Sequence, residues 1–478
     1  MVGEHHREIV IAGGGVAALE ALLALRALAG ELPRITLLSP EPDFVLRAGG
    51  VLEPFARGTA RHVPLALICA AHEAQLVADR LAEVDPQDKV ARTAAGRDLP
   101  YDLLVIALGA IERSPFPGAI AFAGRPQDRD AFAAVLVEAR EGAIADLVFA
   151  VPAGTSWPLP AYELALLTAA DLSERGARGP HIAIVTPEER PLEMFGSAAS
   201  DDVERRLAES DIELCTLSRP REHAHGRLEI EGGTGLPADR VIALATLAGP
   251  AIPGLPCDDE GFLPIDDHCR VRGVLDVFAA GDCTSFPLKQ GGLAAQQADA
   301  VAGAIAELLG AGGPAEPFRP VLRGLLLTGD EPIYLRAEPG AGHGPRSVAI
   351  EEHASFGLGR PVPGIAATRP LWWPPAKVAG PYIGAYLARP QEPGAQPTRL
   401  EDREPHVEAA SRRELQAAQD LALMMAEGEA RFGDWHAALH ALEAAEALTG
   451  SLPPQYAQKR DLWRAELEGR PGSTYLGG

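Results

Sequence analysis

The feature that most constrains this chain is a run of three glycines set between a short apolar stretch and a strong helix former. Residues 9–12 (Ile-Val-Ile-Ala) end in Gly13-Gly14-Gly15, and residues 17–28 are rich in Ala and Leu. Residues 35–38 form a second apolar run, closed by Ser39-Pro40. Strand, turn, helix, strand is the opening of a doubly wound parallel sheet. Gly13-Gly14-Gly15-Val16-Ala17-Ala18 fits Gly-x-Gly-x-x-Ala. Gly13 permits the tight turn, Gly15 lets the backbone approach a pyrophosphate, and Ala18 lets the helix pack closely on the strand. The helix start adds free N–H groups and a partial positive charge. The turn is predicted to hold a dinucleotide and not merely to join two elements. Ser39 stands where an acid that grips the adenosine ribose usually ends the second strand. Glu41, two residues on, is the candidate for that role, against an ordinary exposed acid.

The rest of the chain sets limits. Its 478 residues allow two or three domains, and 47% hydrophobic residues make it globular. A net charge of −23 repels phosphate backbones and anionic lipid, which argues against nucleic acid as a partner. No stretch has the length of a membrane-spanning helix, and the polar N-terminus does not resemble a signal peptide; a cytoplasmic protein is expected. Cys69, Cys215, Cys257, Cys269 and Cys283 are scattered and odd in number, so neither a disulfide framework nor a metal site is predicted.

A second strand–helix–strand unit is predicted at 147–151, 162–174 and 182–185. A further buried strand at 277–280 leads into Gly281-Asp282 and a helix over 293–309. Residues 310–400 are dense in Pro and Gly. Residues 411–468 have helical spacing, with breaks that suggest three helices, weakly like one tetratricopeptide unit. One such unit rarely folds alone, so it is expected to pack on the main body or on a partner.

Three segments together carry a family resemblance. Val277-Phe278-Ala279-Ala280-Gly281-Asp282 resembles the Gly-Asp motif of two-dinucleotide flavoproteins, the FAD-dependent pyridine nucleotide-disulfide oxidoreductase superfamily. Tyr101-Asp102-Leu103-Leu104-Val105-Ile106-Ala107-Leu108-Gly109-Ala110 is similar to the middle motif of that superfamily, and the glycine turn is the first. The resemblance implies FAD at the first turn, with Asp282 on the ribitol chain and Gly13, Gly15, Ala18, Glu41, Ala107, Gly109, Gly281, Gly292 and Leu293 around the cofactor. Pro287-Leu288-Lys289-Gln290-Gly291-Gly292 is similar to sulfide:quinone oxidoreductases, and Ala294-Ala295-Gln296-Gln297 to type II NADH dehydrogenases. In those enzymes this helix points its N-terminus at the flavin, which suits the negative charge of a reduced flavin. Lys289 is either a flavin contact or a solvated loop lysine. Glu163 either matches a glutamate near the flavin or is a helix-start residue favoured by the dipole. Both are candidate catalytic residues.

The second turn reads differently. Pro152-Ala153-Gly154-Thr155-Ser156-Trp157-Pro158-Leu159-Pro160 keeps one glycine, and its three prolines offer no N–H to a phosphate. It resembles the corresponding turn of sulfide:quinone oxidoreductases, but Trp157 stands where those enzymes carry a redox cysteine. NAD(P)H is therefore expected to bind poorly, even with Glu188 and Glu189 placed where a ribose-binding acid sits.

The predicted fold is α/β. It has two Rossmann-like doubly wound domains, a C-terminal interface segment and a short helical tail. The FAD domain is read as 1–112 plus 253–320, the second domain as 113–252, the interface segment as 321–400 and the tail as 405–470. Three functions remain open at this point. They are an FAD oxidoreductase without a cysteine relay, an NAD(P)H dehydrogenase reducing a quinone or a small electron-transfer protein, and a non-catalytic flavoprotein scaffold whose tail recruits a protein partner. Leu371-Trp372-Trp373-Pro374-Pro375, with Tyr382 and Tyr386, is read as core packing, as a wall over the flavin or acceptor, or as an interfacial anchor.

Overall fold

The computed structural model describes residues 7–337, 364–367, 377–378, 380–388 and 451–468, with individual tail positions between 423 and 446. Along the chain, β1 (Arg7–Ala12), α1 (Val16–Ala29), β2 (Pro33–Leu38), β3 (Gln75–Val77) and β4 (Leu103–Ile106) come first. Next come β5 (Ile120–Phe122), β6 (Asp146–Ala150), α2 (Leu159–Glu174), β7 (His181–Val185), β8 (Ile212–Cys215) and β9 (Arg240–Leu244). Then follow β10 (Val277–Ala279), α3 (Gly291–Leu308), β11 (Leu322–Leu326), β12 (Ile333–Ala337), β13 (Gly364–Ala367), α4 (Pro381–Ala388) and α5 (Pro454–Glu468).

Two five-stranded sheets dominate, in the orders β10-β4-β1-β2-β3 and β5-β9-β6-β7-β8. Every pairing in both is parallel. The short, wholly apolar strands follow from burial on both faces: β4 is buried at all four residues and β10 at all three. The fold is the predicted α/β pair of Rossmann-like sheets. Strand β10, far along the chain, returns to the edge of the first sheet beside β4.

The core of the first sheet is built by α1 and α3, which lie side by side. Small residues allow the approach: a Cβ placed on Gly281 would lie 3.2 Å from Ala17 Cβ and 3.3 Å from Ala294 Cβ. Gly281 has φ +83°, so the turn after β10 needs glycine for backbone reasons as well.

The Pro- and Gly-rich stretch after 310 holds an antiparallel sheet, β11-β12-β13, which its weak periodicity did not announce. It packs closely on α2 and on the segment between β7 and β8: a Cβ on Gly324 would stand 3.0 Å from Leu159 Cδ1 and 2.7 Å from Phe195 Cζ. In the tail, α5 and positions between 423 and 446 are helical. Leu423, Ala426, Ala438, Leu442, Ala445 and Trp463 share one buried cluster made of tail residues. Among the described residues, no helix is long and apolar enough to cross a membrane.

Candidate functional site

The first glycine turn is open toward one side and closed on the others. Gly13 has φ +138°, and a Cβ there would fall 2.1 Å from the carbonyl oxygen of Ala107. Its N–H donates to Leu38 O at 2.8 Å, which ties the turn to the end of β2. Gly14 backs onto the hydroxyl of Ser39, 2.5 Å from where its Cβ would stand. A Cβ on Gly15, the N-cap of α1, would meet no atom within 4 Å, and neither would one on Gly109 at φ +71°. Ala18 is fully buried under the turn. The result is a bare concave edge at a helix N-terminus, the shape a pyrophosphate requires. Glu41 is exposed just past β2, its amide donating to Ser39 Oγ at 3.2 Å. Ser39 itself is buried.

Asp282 follows β10 and Gly281, where a Cβ would lie 3.2 Å from Ala17 of α1. Burial pushes its carboxyl up, and the charge of Lys289 pulls it part of the way back. Lys289 is buried in turn. Its ammonium donates to the carbonyls of Thr284 and Phe286, the latter at 2.7 Å, and sits 3.9 Å from the centroid of the Phe262 ring. Burial lowers its pKa to about 8, against the opposing pull of Asp282. Lys289 thus braces the loop after Asp282 and supplies the neighbouring positive charge; it is not a solvated lysine.

Helix α3 starts beside this loop. Gln290 caps it, accepting from Leu293 N at 2.9 Å and donating to Arg323 O at 2.8 Å. With the Leu293 amide taken by that cap, the amides of Gly291 and Gly292 are the helix-start donors that have no helical acceptor. Gln297 accepts from Gly281 N at 2.7 Å, and Gln296 both donates to and accepts from the backbone of Val321. These two glutamines hold backbone in place. The N-termini of α1 and α3 converge: Val378 Cγ2 would be 3.0 Å from a Cβ on Gly291, and Val16 Cγ2 3.9 Å.

Next to Val378 lies a feature that the sequence did not disclose. Lys377 Nζ bridges both oxygens of Glu163 at 2.5 and 2.6 Å, and Leu327 N donates to Glu163 Oε1 at 3.0 Å. Glu163 is wholly buried, in the second turn of α2 and away from its start. Burial pushes its carboxyl up while Lys377 holds it down. Lys377 is therefore the partner of a buried acid. The Trp372-Trp373 run itself lies outside the described residues. Glu20 and Asp299, on α1 and α3, form a second buried acidic pair that the motif reading passed over.

The second turn is exposed at Ala153 and Gly154, and its bulky residue packs on the protein. Trp157 packs edge-on against Phe195 with ring centroids 5.7 Å apart. Glu188, after β7, is buried and faces inward: it accepts from the Tyr162 hydroxyl at 2.6 Å and from Thr186 Oγ1 at 2.9 Å. Burial raises its pKa to about 7. Glu189 is exposed. All five cysteines are free thiols. Burial pushes Cys69 to about 11 and Cys283 to about 12, far from a reactive thiolate.

Residues 7–302, more than half of the chain, match the family model described as pyridine nucleotide-disulphide oxidoreductase. The chain belongs to that family. It is an oxidoreductase and its cofactor is FAD. A sulfide-quinone reductase of Aquifex aeolicus (strain VF5) is 27% identical over 189 residues, which cover 36% of this chain and 41% of that protein. The chain thus matches less than half the length of that curated relative. The solved sulfide:quinone oxidoreductase of the same bacterium superposes with a TM-score of 0.66 at 20% identity, covering 76% of this chain and 87% of the other. The putidaredoxin reductase of a covalent putidaredoxin reductase–putidaredoxin complex gives 0.53 at 20% identity, covering 70% and 82%. At these identities the solved structures speak for the fold.

The residues present fit FAD. The open faces at Gly15 and Gly109 with the helix start suit a pyrophosphate, and a half-buried acid with a lysine counter-charge suits a polyol.

Proposed function

We propose that this protein passes two electrons through FAD from a donor other than NAD(P)H, without a cysteine relay, to a small acceptor such as a quinone. One observation carries the reading: the large side chain of the second turn and the acid after β7 are both engaged by the protein itself. A nicotinamide dinucleotide needs bare backbone amides and an outward acid. Here Trp157 lies on Phe195, and Glu188 is spent on Tyr162 and Thr186. The fit of the first turn and the domain division 1–112 with 253–320 around 113–252 belong to the same proposal. So do a C-terminal interface segment at 321–400 and a cytoplasmic setting.

FAD supplies the two-electron chemistry when bound. In this reading Gly13, Gly15, Ala18 and Glu41 line the adenosine-diphosphate end of the cofactor. Ala107, Gly109, Gly281 and Asp282 line its middle, and Gly292 and Leu293 sit at the start of α3. Lys289 orients the Asp282 loop. Glu163 and Lys377 hold a proton between them one residue from Val378, where the two helix starts converge. In this reading the pair gives or takes the protons that accompany the electrons. Glu163→Gln should cut turnover by roughly 100-fold while FAD stays bound. Full turnover in that variant removes Glu163 from the chemistry.

The reading is tested by anaerobic stopped-flow mixing. NADH should bleach the bound flavin slowly or not at all, and NADPH more slowly still. A screen of other donors by flavin bleaching then identifies the partner. Fast, saturable bleaching by micromolar NADH overturns the proposal in favour of an NAD(P)H dehydrogenase.

A further inference from the structure

An acid in the middle of an apolar helix is costly unless it is fully hydrogen-bonded. Glu20 lies in the second turn of α1 with no exposed surface. Its two oxygens accept from the first amides of α4: Oε1 from Tyr382 N at 3.0 Å and Oε2 from Ile383 N at 2.5 Å. A negative side chain capping a helix start is favoured by both hydrogen bonding and the dipole. The fit is close, since a Cβ on Gly380 would stand 2.8 Å from Glu20 Oε2 and 2.8 Å from Ala295 Cβ. At the other end of α4, the Arg61 guanidinium donates to Leu387 O. The chain running back from α4 reaches Val378 and Lys377, at the convergence of the α1 and α3 starts.

Asp299 of α3 faces Glu20. Its Oδ1 is buried with no hydrogen-bond partner among the described residues. Two carboxylates in contact cannot both ionise cheaply, and a proton on Asp299 donated to Glu20 satisfies both. We propose that Glu20 and Asp299 are positioning residues: as a pair sharing one proton they cap α4 and so hold Lys377 against Glu163.

The charged and titratable groups around the pair fit this state. Burial, then the Glu20 charge, pushes Asp299 well up, and Arg323 of β11 draws it down. Burial pushes Glu20 to about 7 against the pull of the two α4 amides. The Tyr382 phenol is raised by burial and by both acids, so it stays neutral. Groups raised in the folded state stabilise it at low pH and lose that contribution as pH rises through the folded values. The docking of α4 should therefore loosen on the alkaline side.

The inference rests on the flavin reading only for its link to Lys377. The test is hydrogen–deuterium exchange of the peptide covering 380–388 in the full chain between pH 7 and 9. Glu20→Gln replaces one acceptor by an amide that faces an α4 N–H. Exchange there should quicken on the order of 10- to 100-fold. Asp299→Asn keeps a permanent donor to Glu20, so it should retain protection at pH 7 and lose the alkaline loosening of the parent. Protection in Glu20→Gln equal to the parent overturns the proposal, and so does alkaline loosening that is unchanged in Asp299→Asn. If Glu20→Gln fails to fold, the Asp299→Asn pH profile decides alone. A colourless protein would defeat the flavin reading, while the exchange data would still judge the pair.

Discussion

The molecule builds one plan twice and finishes it in opposite ways. In each five-stranded sheet the central strand, β1 or β6, runs into a turn and then a helix, with β2 or β7 beside it. After β1 the backbone is bare, and Gly15 faces empty space. After β6 the turn is open at Gly154 but is flanked by Pro152, Pro158 and Pro160, and its Trp157 packs on Phe195. The acid after the neighbouring strand differs as well. Glu41 is exposed, whereas Glu188 is buried on Tyr162. A parallel sheet with a helix behind it supports either outcome at similar cost. A dinucleotide site is therefore a property of a few side chains at the turn, and the sheet only provides the stage.

The largest expected effect comes from closing the open turn. Gly13→Ala combines a φ of +138° with backbone overlap at 2.1 Å from Ala107 O. A cost on the order of 3–5 kcal/mol is expected, with loss of bound FAD. Absorbance near the flavin band and a thermal melt read both. A yellow Gly13→Ala protein of unchanged stability would show that the first turn is not built as described.

The next effect sits beside the second turn, at the acid after β7. Glu188 has a folded pKa of about 7 against 4.5 for a free glutamate, and its Oε1 finds no partner among the described residues. A raised pKa means that its contribution is present below 4.5 and is lost as pH climbs through 7. Glu188→Gln keeps an acceptor for Tyr162 and removes the charge. The variant should gain on the parent as pH rises from 4.5 to 8, by up to about 3 kcal/mol. Denaturant midpoints of both proteins across that range measure the difference. Parallel curves would mean that Glu188 is open to solvent, and with it the second turn.

Asp282→Ala should cost less, about 1.5–3 kcal/mol of FAD affinity through a lost charge-assisted hydrogen bond. It also frees Lys289 from its counter-charge. Equilibrium dialysis of FAD gives the number, and an unchanged affinity would remove Asp282 from the cofactor site.

Much of this contrast was legible in the sequence, because turns announce themselves locally. Helix α1 was expected over 17–28 and spans Val16–Ala29; β7 was expected over 182–185 and spans His181–Val185. Glycine, proline and apolar runs carry that information within a few residues. What stayed hidden depends on partners far along the chain. Lys377 and Glu163 are 214 residues apart, and Lys377 sits in a Pro-rich stretch without periodicity. Glu20 had one available sign: it is the only acid in the apolar stretch 17–28. Its partners on α4 are more than 360 residues away. The sheet β11-β12-β13 was missed for a related reason. Its third strand starts 27 residues after the second ends, so no hairpin signal links them. The tail was expected to pack on the body or on a partner. Its described apolar residues share one cluster, with Trp435 beside Trp463 at 6.4 Å between ring centroids.

The smallest expected effect is the mirror of the first. Gly154 is the single glycine left in the second turn, at φ +79°. A Cβ there meets no atom within 4 Å, so the only charge against Gly154→Ala is the left-handed backbone, about 1–2 kcal/mol. In the proposed reading nothing in the second turn depends on the bareness of that backbone. The variant should remain yellow, should bind FAD with unchanged affinity, and should melt only a few degrees lower. Set beside Gly13→Ala, it separates two meanings of glycine in one fold. At Gly13 the missing side chain is required by a neighbouring carbonyl and by the space kept for a cofactor; at Gly154 only the chain direction requires it. A Gly154→Ala protein that lost FAD would couple the second turn to the flavin. The two sheets would then have to be read as one site.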